Sequence, residues 1–157
     1  MRALTREQSV TGLVQILGAE QMITDEELLK ESSLDRYRKF EQTHEVYTQP
    51  TPAAVVYANS TEEVRDVLVF ANENKINVVA RTGQSAIEGG LETAVENSIV
   101  LDGSGMNKVL KVDKYNMQVT CQCGVPLQDM DDMLREQGYT TGHSPQSKPL
   151  AQMGGLV

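Results

Sequence analysis

The clearest hydrophobic pattern lies in the middle of the chain, where two short apolar runs flank a stretch of helical periodicity. The run 53–57 is apolar throughout and short enough for a buried strand, and 76–80 predicts a second strand. Between them, apolar residues recur at helical spacing from Thr61 to about Glu73, which predicts a helix. This order predicts a βαβ unit with parallel strands and a right-handed connection.

Helix-start signals add two helices before this unit. A Ser or Thr followed three residues later by Glu or Gln forms a capping box. The first helix is predicted from Arg6 to Leu17, ending at Gly18, and the second from Asp25 to about Lys30. Residues 1–49 are therefore predicted to form a helical N-terminal extension. The three capping boxes are Thr5 with Gln8, Thr24 with Glu27, and Ser60 with Glu63.

The pattern changes after residue 90, where strands predominate. Segments 98–102, 108–112 and 117–123 predict strands separated by turn residues. A helix follows, with Pro126 in its first turn and Gly138 at its end, and 139–141 predicts one more short strand. We expect two small α/β lobes, 50–90 and 91–157, the second built on a mixed sheet.

Composition and charge limit the possible functions. The hydrophobic fraction of 39% is that of a soluble globular protein, and no apolar run approaches the ~20 residues that a membrane span needs. The first residues lack the apolar core of a signal peptide, which predicts a cytoplasmic protein. A net charge of −8 argues against nucleic-acid binding. It also means that any bound phosphate needs local backbone N–H groups and a well-placed cation.

Two groups of chemically active side chains have a structural interpretation. Cys121 and Cys123 are too close for an ordinary disulfide and too few for a zinc site, so no metal site is predicted. Both thiols are expected to pack on one face of a strand. Asp129, Asp131 and Asp132 are expected to form a solvated face of the last helix.

Two segments carry the candidate chemistry. The first, 80–90, leaves the carboxyl end of the second parallel strand, which is where α/β sheets bind ligands. Its glycines permit close backbone approach to a diphosphate, and Arg81 is a candidate cation. It has neither the Walker A pattern nor the Gly-x-Gly-x-x-Gly of a Rossmann unit.

The second segment, 141–155, is rich in hydroxyls, amides and glycines, a composition that fits either a ligand-wrapping loop or a solvated linker. Lys148 is its candidate cation, and His143 is expected to be an ordinary hydrogen-bonded loop histidine rather than a catalyst.

The pairing of these segments resembles the FAD-binding domain of the vanillyl-alcohol-oxidase or p-cresol methylhydroxylase type, shared by D-lactate and glycolate dehydrogenases and alkyl-dihydroxyacetone-phosphate synthases. The resemblance covers residues 52–157. The sequence differs from the family loop at three positions: Ala80 replaces a proline, and Thr82 and Gln84 replace glycines. The matching features are Pro52, Val55-Val56, Ser60-Thr61-Glu62-Glu63-Val64, Ile99-Val100-Leu101-Asp102, Met106-Asn107, Cys123-Gly124-Val125, Thr141-Gly142-His143-Ser144-Pro145-Gln146-Ser147 and Gly154-Gly155.

The resemblance implies an α+β, two-lobed fold that is incomplete at its C-terminus, with the substrate or cap domain absent. Some family members bind flavin covalently through a histidine at the position of Ser85, and because serine cannot make that bond, FAD is expected to be non-covalent. No catalytic residue is assigned. The implied cofactor-binding residues are Ala80, Arg81, Thr82, Gly83, Gln84, Ser85, Ala86, Gly89, Gly90, Pro145, Gln146, Ser147, Lys148, Leu150, Ala151, Gln152, Gly154 and Gly155.

Three functions are compatible with this resemblance. The first is the N-terminal FAD-binding portion of an oxidoreductase acting on a 2-hydroxy acid or related alcohol. The second is an FAD-containing non-redox transferase, because the Thr-Gly-His-x-Pro-x-Ser run is closest to the synthases. The third is a truncated, non-catalytic module. The expected partners are FAD, a missing C-terminal domain or partner chain and, in the complete enzyme, a small-molecule substrate.

Overall fold

The structure is a computed structural model that describes residues 4–45 and 48–157, and of residue 40 the backbone. Two sheets with helices packed against them make up the described part of the chain. The helices are α1 (Arg6–Leu17), α2 (Glu26–Glu31), α3 (Lys39–Thr43), α4 (Thr61–Asn74) and α5 (Leu127–Arg135). The strands are β1 (Met22–Ile23), β2 (Ala54–Tyr57), β3 (Val78–Arg81), β4 (Ile99–Asp102), β5 (Val109–Asp113) and β6 (Gln118–Cys121).

The first sheet has the strand order β1-β2-β4-β3. Strand β4 lies between β2 and β3 and is parallel to both, whereas β1 is antiparallel to β2. All four residues of β4 are buried, as expected for the centre of a parallel sheet. The predicted βαβ unit is therefore present, but its two strands are separated by a strand that the sequence prediction assigned to the second lobe. The lobe boundary predicted between residues 90 and 91 is wrong for the sheet, because β4 belongs to the first sheet.

Alternation along the strands gives this sheet two apolar faces. One face, including Val56 and Ile99, packs against Leu13 of α1 and Val67 of α4. The opposite face, including Val100, packs against Leu29 of α2. Because side chains alternate between faces of a strand, both surfaces of the sheet are covered. The N-terminal extension is therefore part of this core, and it also contributes β1 to the sheet.

The second sheet is the antiparallel pair β5–β6, with α5 packed against it. A mixed sheet was predicted for the second lobe, but the mixed sheet is the first one. Among the described residues, the second sheet has two antiparallel strands. Helix α5 contributes Met130 and Leu134 to a core with Val125. Pro126 is the N-cap of α5 rather than a residue of its first turn. Residues 139–141, predicted as a strand, are irregular, because their polar atoms bond to a helix side chain instead of a strand.

The helix starts agree with the capping signals in two cases and differ in one. Helix α1 has the predicted bounds, with the reciprocal bonds between Thr5 and Gln8. Ser60 accepts from the N–H of Glu63 at the start of α4. Helix α2 is capped by Asp25, whose Oδ1 accepts from two backbone N–H groups, so the predicted Thr24 cap is wrong by one residue. Aspartate is as good an N-cap as serine, which explains the shift.

No helix within residues 4–45 and 48–157 combines the length and apolarity that crossing a membrane requires.

Candidate functional site

A pocket of about 590 Å³ lies where β3 and β4 end, and both candidate segments contribute to it. This volume is in the usual range of small-molecule sites. Carboxyl ends of adjacent parallel strands meet at one edge of a sheet, which is where open α/β sheets bind ligands. Its lining residues are Val64, Ala80, Arg81, Thr82, Gly83, Gln84, Ser85, Ala86, Gly90, Leu91, Leu101, Gly103, Met106, Cys123, Ser147, Gln152, Gly154, Gly155 and Leu156.

The wall formed by residues 82–86 is rich in free donors. Their five consecutive backbone N–H groups have no hydrogen-bond acceptor within residues 4–45 and 48–157. Gln84 adopts a left-handed conformation with φ of 50°, the region that the family glycine would favour. Successive N–H groups around such a residue form a concave anion-binding nest. Gln84 therefore adopts a left-handed conformation of the kind that glycine favours, at a conformational cost of roughly 1 kcal/mol.

The second segment is held against this loop by backbone contacts. A Cβ on Gly83 would lie 2.3 Å from the carbonyl oxygen of Leu150 and 2.8 Å from the backbone nitrogen of Gln152, so only glycine fits there. The N–H of Gly154 donates to the carbonyl of Cys123 at 2.7 Å. The segment is thereby tied to the turn after β6, and this brings Gly154 and Gly155 to the pocket.

The pocket has little net charge. Arg81 is the sole charged residue among its described lining residues. Its Nε lies 2.8 Å from Oδ2 of Asp102, and both side chains are at least nine-tenths buried. Asp102 Oδ1 also accepts from the N–H of Ser104. The predicted role of Arg81 as a free phosphate cation needs correction, because Asp102 already balances its charge.

Lys148 is also bound to a carboxylate rather than free for a phosphate. Its Nζ lies 2.6 Å from Oδ2 of Asp131. The same oxygen accepts from Arg135, and Oδ1 of Asp131 accepts from Thr140 and Thr141. Asp131 is 1% exposed, so its assignment to a solvated face is wrong. Lys148 is therefore not a free cation, because its charge pairs with Asp131 and fixes the second segment to α5, and its contact with a phosphate stays a prediction.

These contacts predict a pH effect. Lys148 first, then Arg135, Thr140 and Thr141, hold the pKa of Asp131 well below its usual range. A carboxyl whose folded pKa is lowered stabilises the protein above its unfolded pKa, about 3.9, and loses that contribution as pH falls below it. Asp131→Asn should therefore lower the free energy of unfolding at pH 7 and make its decrease below about pH 4 shallower than in the unmodified protein. Urea unfolding at a series of pH values measures this effect.

Asp129→Asn is the matched control, because Asp129 lies on the same helix and is exposed. It should leave the acid part of the stability curve nearly unchanged. Equal acid sensitivity in the Asp131 variant and the unmodified protein would contradict the role given to this carboxylate.

The remaining predicted site residues divide into two groups. The N–H of Gly89 donates to Asp35, at 2.6 Å, so this N–H is not free for a phosphate, while the predicted close approach of the cofactor to Gly89 stays a prediction. The pocket walls also include residues that the motif reasoning missed. Leu101, Gly103 and Met106 lie in or just after β4, at the strand end where a site is expected, whereas the others come from different segments and carry no local signal. Predicted residues outside the described pocket lining are Gly89, Pro145, Gln146, Lys148, Leu150 and Ala151; the missed lining residues are Val64, Leu91, Leu101, Gly103, Met106, Cys123 and Leu156.

The two cysteines do not share one strand face. Cys121 packs in the core beneath α5, whereas Cys123 lies in the turn after β6, lines the pocket and donates to the carbonyl of Gly103. Burial, and then the neighbouring Cys123, raise the pKa of the Cys121 thiol.

His143 is exposed and lies outside the described pocket lining, so the structure gives it no catalytic contact.

A glycine-rich loop with free N–H donors at the end of a parallel sheet defines a phosphate-binding domain of the nucleotide-cofactor class. Residues 52–157 match the family described as FAD binding domain, and the chain belongs to that family. An FAD-linked oxidoreductase of Escherichia coli strain K12, YgcU, is 62% identical over 155 residues, which are 99% of this chain and 32% of that protein. The mitochondrial cytochrome-linked D-lactate dehydrogenase 1 of Saccharomyces cerevisiae is 34% identical over 117 residues, covering 73% of this chain and 20% of that protein.

A solved structure of alkyldihydroxyacetonephosphate synthase shows the same fold. It superposes with a TM-score of 0.83 at 23% identity, covering 98% of this chain and 29% of that one. The predicted α+β fold and the family resemblance are therefore confirmed. The chain spans about a third of the length of YgcU.

The residues present fit the diphosphate of FAD. Besides the free N–H groups of 82–86, the pocket is lined by Thr82, Ser85 and Ser147, whose hydroxyls have no hydrogen-bond partner among the described residues. Gln152 Oε1 is buried and also has no partner within that part of the chain, but as an acceptor it can bind only a donor group of a ligand and not a phosphate oxygen. Donors in this number replace the hydration of a dianion without a net positive charge.

Proposed function

We propose that this chain forms the diphosphate-binding part of an FAD-dependent oxidoreductase that acts on a 2-hydroxy acid or a related alcohol. The observation that carries the proposal is the run of free N–H groups at 82–86, which faces the second segment across the pocket. The names of the relatives support the redox class, since both are FAD-linked or lactate-oxidising proteins.

The chain's own residues bind and orient the cofactor. The N–H groups and hydroxyls of residues 82–86 would donate hydrogen bonds to the diphosphate oxygens, and Gly83 lets the second segment close over the loop. Apolar residues such as Leu101, Met106 and Leu156 exclude water from the far wall of the pocket. FAD, when bound, accepts a hydride or an electron pair from the substrate. The groups that bind substrate and move its proton are proposed to lie in a further domain or a partner chain.

The visible absorption spectrum of the purified protein tests the proposal. We expect a flavin spectrum, or its appearance on titration with FAD, with quenching of flavin fluorescence on binding. Absence of FAD binding by the purified protein would contradict the proposal and favour a non-catalytic module.

The attachment of FAD gives a separate prediction. Because Ser85 offers no nitrogen nucleophile at the position of the family histidine, we expect all flavin to be released into the supernatant when the protein is denatured in acid. Filtration and fluorescence of the filtrate measure the released fraction. Flavin that remains with the precipitated polypeptide would show that the attachment is covalent.

The Thr-Gly-His-x-Pro-x-Ser run at 141–147 keeps the non-redox transferase as a second candidate. Anaerobic addition of D-lactate or glycolate to the FAD-loaded intact protein separates the two. Bleaching of the flavin by either hydroxy acid supports the oxidoreductase and counts against the transferase.

A further inference from the structure

A short segment around Asp35, far away in sequence, contacts the end of residues 82–90, which we call the diphosphate loop. Asp35 is fully buried, and its Oδ2 accepts a hydrogen bond from the backbone N–H of Gly89 at 2.6 Å. These residues are 54 positions apart in the chain. Neither the family motif nor the capping and periodicity patterns pointed to Asp35.

Two neighbouring contacts reinforce this bond. The carbonyl of Ser33 accepts from the N–H of Thr93 at 3.0 Å, and Nε of Arg38 lies 3.2 Å from Oε1 of Glu92. We call these three contacts, between residues 33–38 and 89–93, the clasp. It fixes the backbone at Gly89 and at Thr93, and the ion pair at Glu92 adds a side-chain contact between these two points.

The segment that carries Asp35 is itself fixed. Ser33, Leu34 and Asp35 are all buried, and the side-chain amide of Gln42 donates to Ser33 Oγ at 3.0 Å and to the carbonyl of Lys30 at 2.8 Å. A buried carboxylate is strongly disfavoured unless its oxygens receive hydrogen bonds. Asp35 therefore holds the Gly89 N–H tightly, in a charge-assisted bond.

The geometry of the loop makes this bond relevant to ligand binding. The N–H groups of 82–86 have no acceptor among the described residues, and Gly89 turns the chain with φ of 87°. Backbone N–H donors bind an anion tightly when the loop that carries them is already ordered in the unliganded protein, because ordering a mobile loop on binding costs free energy. A clasp at the end of the loop restricts its backbone without using the donors that the anion needs.

We propose that Asp35 is a positioning residue for FAD: through Gly89 it holds the diphosphate loop in the conformation that binds the cofactor. The inference rests on the proposed function for the identity of the ligand. It makes the N-terminal segment part of the cofactor site although the described pocket lining contains none of its residues.

Two substitutions of Asp35 test the proposal. Asp35→Ala removes the acceptor, and Asp35→Asn keeps an acceptor oxygen and nearly the same volume. Thr5→Ala is the control, because it removes the N-cap of α1 and lowers stability without touching the clasp. The measurements are the dissociation constant for FAD by flavin fluorescence, amide hydrogen exchange of residues 82–90 without FAD, and the midpoint of urea unfolding.

We expect Asp35→Ala to weaken FAD binding about tenfold or more, as for loss of a hydrogen bond to a charged group, and to speed exchange of residues 82–90. Asp35→Asn should recover most of both properties. Thr5→Ala should lower the unfolding midpoint and leave the dissociation constant and the exchange of the loop unchanged.

Wild-type affinity in Asp35→Ala, or an equal loss of affinity in Thr5→Ala, would overturn the positioning role. Asp35→Asn still decides the question if the alanine variant does not fold, because the proposal requires any loss of FAD affinity in it to be accompanied by faster exchange of residues 82–90; weaker binding with unchanged exchange would overturn the positioning role. Failure of the unmodified protein to bind FAD would instead refute the proposed function. In that case unchanged exchange of the loop in Asp35→Asn and Asp35→Ala would overturn the clasp, and faster exchange in the alanine variant would support it.

Discussion

Gly83→Ala should weaken binding of FAD by about one to two orders of magnitude, the cost of forcing a side chain into a closed backbone contact. The new Cβ would lie 2.3 Å from the carbonyl oxygen of Leu150. Because the obstructing atoms belong to the backbone, the clash can be relieved only by moving the second segment away from the diphosphate loop. The pocket would then open along the edge at which the two segments meet. Fluorescence titration with FAD measures the loss.

Gly138→Ala is the control for this experiment. Gly138 has φ of 80° and nothing within 4 Å of an added Cβ, and it lies outside the described pocket lining. Its replacement should cost about 1 kcal/mol of stability through backbone conformation alone and leave FAD affinity unchanged. Wild-type affinity in Gly83→Ala would mean that the contact between the segments does not form the site.

Arg81→Met should lower the free energy of unfolding by about 3–5 kcal/mol, the usual cost of leaving one member of a buried ion pair without its partner. Arg81 and Asp102 are both buried, with 2.8 Å between Nε and Oδ2. Methionine preserves much of the apolar stem but leaves the Asp102 carboxylate with the N–H of Ser104 as its recorded donor. The double variant Arg81→Met, Asp102→Asn should recover most of the loss, because no charge then remains buried.

Urea unfolding of the two single variants and the double variant gives the coupling free energy between these side chains. The exposed pair of Arg65 and Asp66 provides the control, since its side chains are 65% and 48% exposed. Arg65→Met should change stability by less than about 1 kcal/mol. A comparably small effect of Arg81→Met would show that the buried Asp102 carboxylate does not need Arg81 for the stability of the folded protein.

The sequence by itself determined the local structure and the class of the site. Helix α1 begins and ends where the capping box and Gly18 predict, because these signals involve residues within one turn of each other. The segment 80–86 was identifiable because its glycine and hydroxyl residues follow an apolar strand. The family motifs then connected it with 141–155, about sixty residues further along the chain.

Only the tertiary structure decided which charged groups remain free. Arg81 and Lys148 have the right charge and position in sequence for a phosphate site, yet each is bound to a carboxylate. Helical spacing places Asp131, which is 1% exposed, on the buried face of α5 and its exposed neighbour Asp129 off that face, but the spacing does not reveal which groups bind the carboxylate. Burial of that carboxylate depends on the packing of Lys148, from another segment, against α5.

The same limit applies to the sheet and to the clasp. The apolar run of β4 predicts a strand but does not reveal that it inserts between β2 and β3, because strand order depends on contacts between distant segments. Asp35 and Gly89 meet for the same reason. The sequence therefore determined most of the elements, the cofactor family and the position of the loop, whereas the fold determined that residues 82–86 have free backbone donors while Arg81 and Lys148 are paired with carboxylates. The physical reason is that a turn or a cap forms between neighbouring residues, whereas the charge balance of a pocket is set by groups that only folding brings together.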